Sequence, residues 1–263
     1  MGYGDEIIAA GQAQRYSDTH NRRRVRIVDT AGHARWHPIW DGNPILVRPD
    51  EQAAGFYDLL SAPHARPYIV YPFTEDTGWT FNKTFHARDH VAKIYLTAAE
   101  LGMGRRLRDV LGPYVLIEPW SKHSNLRWPL THWRALIASV PDVTFVQHLH
   151  AGNPVPLAGV ESIMTTTFRE ACGVLAAASV YIRGESGMCH AAAALGIPQV
   201  TIWGACMDWD VLGGYDKQLG IGVSDEPCGS WRACAHCAGT MGAITVGSVM
   251  RGIAIQRACY GLR

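Results

Sequence analysis

The chain has 263 residues, 48% hydrophobic and 18% charged, enough for one large hydrophobic core or two small ones. Its 24 Lys and Arg balance 23 Asp and Glu, and a net charge of +1 excludes the overall field that gathers polyanions. Seven cysteines, an odd number, speak against a disulfide framework, and the sequence has neither an apolar run of about 18 residues nor a signal-peptide layout, so a cytoplasmic protein with reduced thiols is expected.

In chain order, a short helix over 7–16 follows Gly4-Asp5. The basic cluster Arg15, Arg22, Arg23, Arg24 and Arg26 reads as a solvated turn before a strand; a nucleic-acid acceptor is allowed by it but not indicated. Residues 24–29 alternate polar and apolar and form that strand, ended by the turn Thr30-Ala31-Gly32. Residues 36–44 are too rich in turn formers to be an element; with Trp36 and Trp40 they are a candidate binding surface. The β-rich run within 66–72 belongs in the same sheet as 24–29. At Gly112-Pro113 the pattern restarts, which places the domain boundary there: 1–112 and 113–263. Strands at 114–118, 143–147, 179–183 and 199–203 then alternate with helices at 131–139, 167–178 and 188–195. Such spacing implies a parallel sheet covered on both faces, with Cys172, Cys189 and Cys206 as small buried hydrophobes. A last helix over 244–256 is expected to pack back across the domain junction.

The strongest local signal is the turn Gly184-Glu185-Ser186-Gly187 between a strand and the helix that opens at Met188-Cys189-His190. A helix start leaves unpaired backbone N–H groups and the positive end of the helix dipole aimed at one point, which favours phosphate. Glycines there let a ligand approach the backbone, Ser186 adds a hydroxyl, and Glu185 can accept from a ribose or sugar hydroxyl. A merely tight strand-to-helix turn explains the same residues equally well.

Residues 183–204 resemble the nucleotide-binding segment of glycosyltransferase family nine, the heptosyltransferases: Glu185, Ser186, Gly187, His190, the alanines 191–194, Gly196, Pro198 and Gly204 fall in its order. Trp128-Pro129 with Trp133 is similar to the family's Lys-x-Trp-Pro segment, Gly4-Asp5 to its Gly-Asp, and Cys228, Cys234 and Cys237 to its cysteine-rich ending. The resemblance spans nearly the whole chain and is closest to a short subgroup. It implies an α/β, GT-B-like fold, two Rossmann-like domains facing a cleft, with 1–112 a reduced acceptor-side domain and 113–263 binding the nucleotide-sugar. It further implies a transferase with Asp5 as catalytic base and a hydroxyl-bearing acceptor, whether glycan, lipid-linked saccharide or modified nucleobase.

One position departs from the family. Its phosphate-binding lysine falls here on Leu126, so Lys122 or Arg127 is expected to take over, Lys122 preferred because it follows the strand end at Pro119. Transfer of this two-domain type is implied to be metal-independent, and no cofactor is expected. Asp5 has an alternative role as N-cap of the first helix, and His190 either touches a diphosphate oxygen or bonds within the fold. Gly4, Glu118, Trp120, Ser121 and Tyr215 are weaker site candidates. Cys228, Cys234, His236 and Cys237 are a lesser candidate for a structural zinc, because adjacent His236 and Cys237 strain a single site. A nucleotide-binding module of the same fold without transfer is the competing reading.

Overall fold

The computed structural model describes residues 2–63, 65–71, 74, 78–153, 155–224 and 226–260. The chain begins with α1 (Tyr3–Thr19), followed by β1 (Val25–Val28) and β2 (Tyr57–Leu60), which pair in parallel. A small antiparallel pair follows, β3 (Ile69–Val70) with β4 (Thr80–Phe81), and then α2 (Ala98–Leu111). The second half runs β5 (Val115–Glu118), α3 (Leu130–Ser139), β6 (Phe145–Leu149), β7 (Glu161–Met164), α4 (Phe168–Leu175), β8 (Val180–Gly184) and α5 (Gly187–Leu195). It closes with β9 (Gln199–Ile202), α6 (Trp209–Leu212), β10 (Gln218–Ile221), α7 (Ala235–Ala243) and α8 (Val246–Cys259).

Six strands form one parallel sheet in the order β10-β9-β8-β5-β6-β7. The order reverses between β5 and β8, and in open α/β sheets ligands bind outside the carboxyl ends of the strands at such a point. Successive residues of each central strand face opposite cores. Tyr114, Leu116 and Tyr181 face the layer of α1, α4 and α5, whereas Val115, Ile117, Val180 and Ile182 face that of α3 and α8. This two-sided burial is why these strands read as unbroken apolar runs.

The expected second-half elements form within a few residues of their sequence positions, and Thr167 caps α4 in a reciprocal capping box with Glu170. Three expectations are corrected. The 66–72 run does not join β1; the strand within it, β3, pairs with β4, and β2 is the partner of β1. Pro72 lies outside the described residues. The 36–44 segment does not present both tryptophans as a surface: Trp36 is half-buried, while Trp40 is buried, donates its indole N–H to the Glu6 carbonyl at 2.8 Å, and packs with Ile39 in the core beside α1. The last helix does not cross the junction but packs on β8, β9, β10 and α3 within the second half.

The elements that do cross are α1 and α2. Helix α1 lies against α5, while α2 lies against α4, so one core runs continuously through residues 1–112 and the six-stranded sheet. Among the described residues no single helix is long and apolar enough to cross a membrane; α7 and α8 pass that test only jointly, across a 62° bend.

Candidate functional site

A cleft of about 610 Å³ opens at the switch point between β5 and β8. The amino ends of three helices line it: Gly2, Tyr3 and Gly4 at α1, Thr167 and Phe168 at α4, and Ser186, Gly187 and Met188 at α5. Three helix dipoles ending on one cavity make it a place for an anion. A smaller cavity of about 150 Å³ adjoins it, sharing Gly2, Gly4, Ser186 and Gly187 and adding Asp5, Tyr68, Glu185 and His190.

The two helix ends nearly touch. A Cβ on Gly187 would stand 2.9 Å from the Gly4 nitrogen, and one on Gly4 would stand 3.1 Å from the Gly187 Cα. A Cβ on Gly184 would meet the Leu126 carbonyl oxygen at 2.4 Å. The glycines of the turn are therefore demanded by contacts within the protein, a correction to the expectation that they make room for a ligand. Ser186 is the N-cap of α5, its hydroxyl accepting from the Met188 N–H at 3.2 Å.

Asp5 is the third residue of α1, whose N-cap position is Gly2, so it is not the N-cap of its helix. Its carboxylate is 7% exposed, accepts from the Tyr68 hydroxyl at 2.5 Å, and lies 3.4 Å from Nε of Arg66. Burial pushes its pKa above the usual aspartate value, against the opposing pull of Tyr68 and Arg66. Glu185, buried on the far side of the small cavity, is pushed up to about 7 by desolvation, with the Asp5 charge adding to the rise. His190 donates to or accepts from Tyr215 Oη through Nδ1 at 2.7 Å, and burial pushes it down to about 4. It therefore bonds within the fold while also lining the small cavity, and Tyr215 lies behind it, outside both cavity walls.

At the floor of the larger cleft the weak candidate Glu118 is the centre of a network. It is the cross-strand neighbour of Arg183, whose Nη1 donates to it at 2.7 Å; His150 Nε2 approaches at 3.1 Å, the Tyr181 hydroxyl donates at 3.1 Å, and His148 Nδ1 lies at 3.5 Å. Desolvation alone would raise this carboxyl, but Arg183 and the two histidines hold it well below the usual glutamate range. Sequence reasoning missed His148, His150 and Arg183 as cleft residues; their signal was polar side chains at the ends of apolar strands. Lys122 is exposed and lines the same cleft. Arg127 does not line either cavity: its Nε donates to the Ser121 carbonyl at 2.6 Å and its guanidinium stacks 3.6 Å from the Trp120 ring centroid.

Elsewhere, Cys228, Cys234, His236 and Cys237 bring one ligand atom each within 4.8 Å of one another. The adjacency of His236 and Cys237 is accommodated because both fall in the first turn of α7. Cys172, Cys189 and Cys206 are buried as expected. The basic cluster is largely paired, Arg24 with Glu51, Arg26 with Asp58 and Arg15 with Asp89, around a turn in which Asn21 and Arg22 take positive φ.

A doubly covered parallel sheet with a cleft at its switch point and helix amino ends on the cleft defines a doubly wound α/β fold with a ligand site at the switch point. Residues 81–233 match glycosyltransferase family 9 (heptosyltransferase), and the chain belongs to that family. No curated protein sequence matches it. Among solved structures, it is similar to a family 9 glycosyl transferase from Veillonella parvula (13% identity, TM-score 0.64, covering 97% of this chain and 94% of that one). It is also similar to the iron-containing dodecameric glycosyltransferase TibC of enterotoxigenic E. coli (17%, 0.65, 98% and 76%). A third is E. coli ADP-heptose lipopolysaccharide heptosyltransferase II (18%, 0.50, 66% and 57%), so the chain spans little more than half the length of that enzyme.

Proposed function

We propose that the chain transfers a sugar from a nucleotide-sugar, of the ADP-heptose kind bound by the TibC heptosyltransferase, to an acceptor hydroxyl. The observation that carries this reading is the pair of adjoining cavities, one faced by three helix amino ends and the other by Asp5. The donor diphosphate sits at Ser186, Gly187 and Met188, with Lys122 as its cation in place of the family lysine. The amides are fixed before reaction, so they stabilise the charge that develops on the leaving diphosphate without reorganising, and Lys122 adds a positive charge from the cleft wall. The acceptor hydroxyl enters the small cavity and gives its proton to Asp5 as its oxygen attacks the sugar carbon. The bond from that carbon to the diphosphate oxygen breaks, and its electron pair stays on the nucleoside diphosphate. Raised by burial yet held by Tyr68 and Arg66, Asp5 is closer to the operating pH than a free aspartate, as a general base should be. The reaction so written needs no divalent ion at the diphosphate.

The three thiols and one imidazole of Cys228, Cys234, His236 and Cys237 form a donor set that suits zinc or iron, and we assign them a structural metal. Such an ion would tie the 228–237 loop to α7. Elemental analysis of purified protein tests this, and absence of stoichiometric metal would end it.

The transfer reading is tested by thermal shift with ADP, UDP and GDP, followed by ADP release from ADP-heptose. At least one nucleoside diphosphate should raise Tm. Asp5→Asn should keep that shift while donor turnover falls by roughly 10²–10⁴-fold. Unchanged turnover in Asp5→Asn would exclude Asp5 as base, and turnover absent from the wild type would leave a nucleotide-binding module.

A further inference from the structure

The cysteine-rich loop does more than gather thiols; it reaches the base. Asn125 pins the loop from inside, its side-chain N–H groups donating to the Ser230 carbonyl at 3.0 Å and the Arg232 carbonyl at 2.8 Å while its oxygen accepts from the Cys234 N–H at 2.9 Å. The loop in turn holds the segment beside the small cavity: the Trp79 N–H donates to the Gly229 carbonyl at 2.8 Å, and the Trp79 and Trp231 rings meet edge to face at 4.8 Å. Arg66 lies against both indoles, 5.4 Å from the Trp79 centroid and 5.6 Å from that of Trp231. Its Nε is the group 3.4 Å from Asp5. An unbroken series of contacts thus runs from Asn125 through Trp231 and Arg66 to the carboxylate.

We propose that Trp231 is a positioning residue for the base, holding the Arg66 guanidinium against Asp5 so that the cysteine-rich loop governs the pH range in which Asp5 is ionised. This rests on the reading of Asp5 as the proton acceptor. A guanidinium on a flexible stem keeps its charge wherever it goes; what an aromatic clamp controls is its distance from the carboxylate, and the attraction falls with that distance. Four other groups face Asp5, and of these Tyr68 also packs edge to face on Trp79, at 6.3 Å between ring centroids. Tyr68 donates to it from the segment before β3, Glu6 repels it from α1, and Glu185 and His190 face it across the small cavity from α5 and its preceding turn. Of the groups around Asp5, Arg66 is the one whose guanidinium lies against the Trp231 ring, so loosening the clamp acts first on the Arg66 contribution. With the cation withdrawn, the charged form of Asp5 loses support and its titration moves to higher pH.

The test needs no substrate. With 13C-labelled aspartate, the Asp5 side-chain carboxyl is identified by its disappearance in Asp5→Asn and titrated in the full-length protein. Arg66→Gln should move the midpoint upward, Trp231→Leu should move it in the same direction by less, and Arg66→Lys should restore most of the wild-type value. Circular dichroism and Tm report whether each variant is folded; should Trp231→Leu not fold, Trp231→Phe, which keeps a ring at the clamp, should give a smaller upward shift. A folded Trp231 variant whose Asp5 midpoint equals that of the wild type, while Arg66→Gln shifts it, would overturn the proposal. Full donor turnover in Asp5→Asn would instead overturn the base assignment and leave the measured coupling standing.

Discussion

Two glutamates end up buried at the carboxyl ends of the adjacent strands β5 and β8, and the two cavities they serve hold them in opposite states. Glu118, under the larger cleft, has Arg183, His148, His150 and Tyr181 around it and is kept ionised well below its ordinary range. Glu185, in the wall of the smaller one, faces a histidine nitrogen 3.7 Å away that burial keeps neutral, and desolvation pushes it up to about 7 against the pull of Arg183. Equal burial thus fixes nothing by itself; the partners decide. The large cleft is a site of settled charge suited to holding a charged ligand, and the small one is a site where protons can move.

The largest expected effect that tests this contrast comes from Glu118→Gln, which leaves Arg183 buried without its carboxylate. It should destabilise the fold by about 3–5 kcal/mol in urea titrations near neutral pH. Because the folded-state pKa of Glu118 is depressed, its stabilisation is present above the ordinary glutamate pKa and is lost as pH falls through the folded value. The deficit of the variant should accordingly shrink in acid.

Glu185→Gln should do the reverse. A carboxyl raised from 4.5 to about 7 binds its proton more tightly in the folded state, so stability falls as pH rises between those values, by about 3 kcal/mol. The glutamine variant should lose this slope and exceed the wild type above pH 7; an unchanged slope would mean that Glu185 is ionised throughout and that the two glutamates are alike.

Gly187→Ala acts on the shared wall, where the new methyl meets the Gly4 backbone. It should cost about 1–3 kcal/mol and weaken nucleoside diphosphate binding, because the α1 and α5 ends are forced apart. Smallest is Lys122→Ala, on an exposed side chain, expected to weaken ADP binding about tenfold by calorimetry with little change in Tm. An equal loss from Arg127→Ala would reverse the assignment of the cation.

Much of the second half was legible because its strands are buried on both faces and stand out as apolar runs between capped helices. Thr167 and Ser186 could be recognised as helix starts from local chemistry alone. The first half hid its structure in short pieces. β2 is only four residues, with exposed Leu60 at its end, and its pairing with β1 depends on a partner some thirty positions away. The Trp36 to Pro44 segment misled for a related reason: turn formers describe its backbone correctly, but whether its tryptophans face water or a helix is not a local property.

The sequence by itself determined the doubly covered sheet, the turn before α5 and the cysteines at the end, because periodicity, capping and close spacing act over a few residues. It also showed Asp5, Glu118 and Glu185 as residue types without their charge states. Only the tertiary structure brought Arg66 to Asp5 across 61 positions and Arg183 to Glu118 across 65. A buried carboxylate takes its pKa from what stands within a few ångströms, and that neighbourhood comes from the order of strands in the sheet and the seating of α1 on α5, which no local pattern encodes.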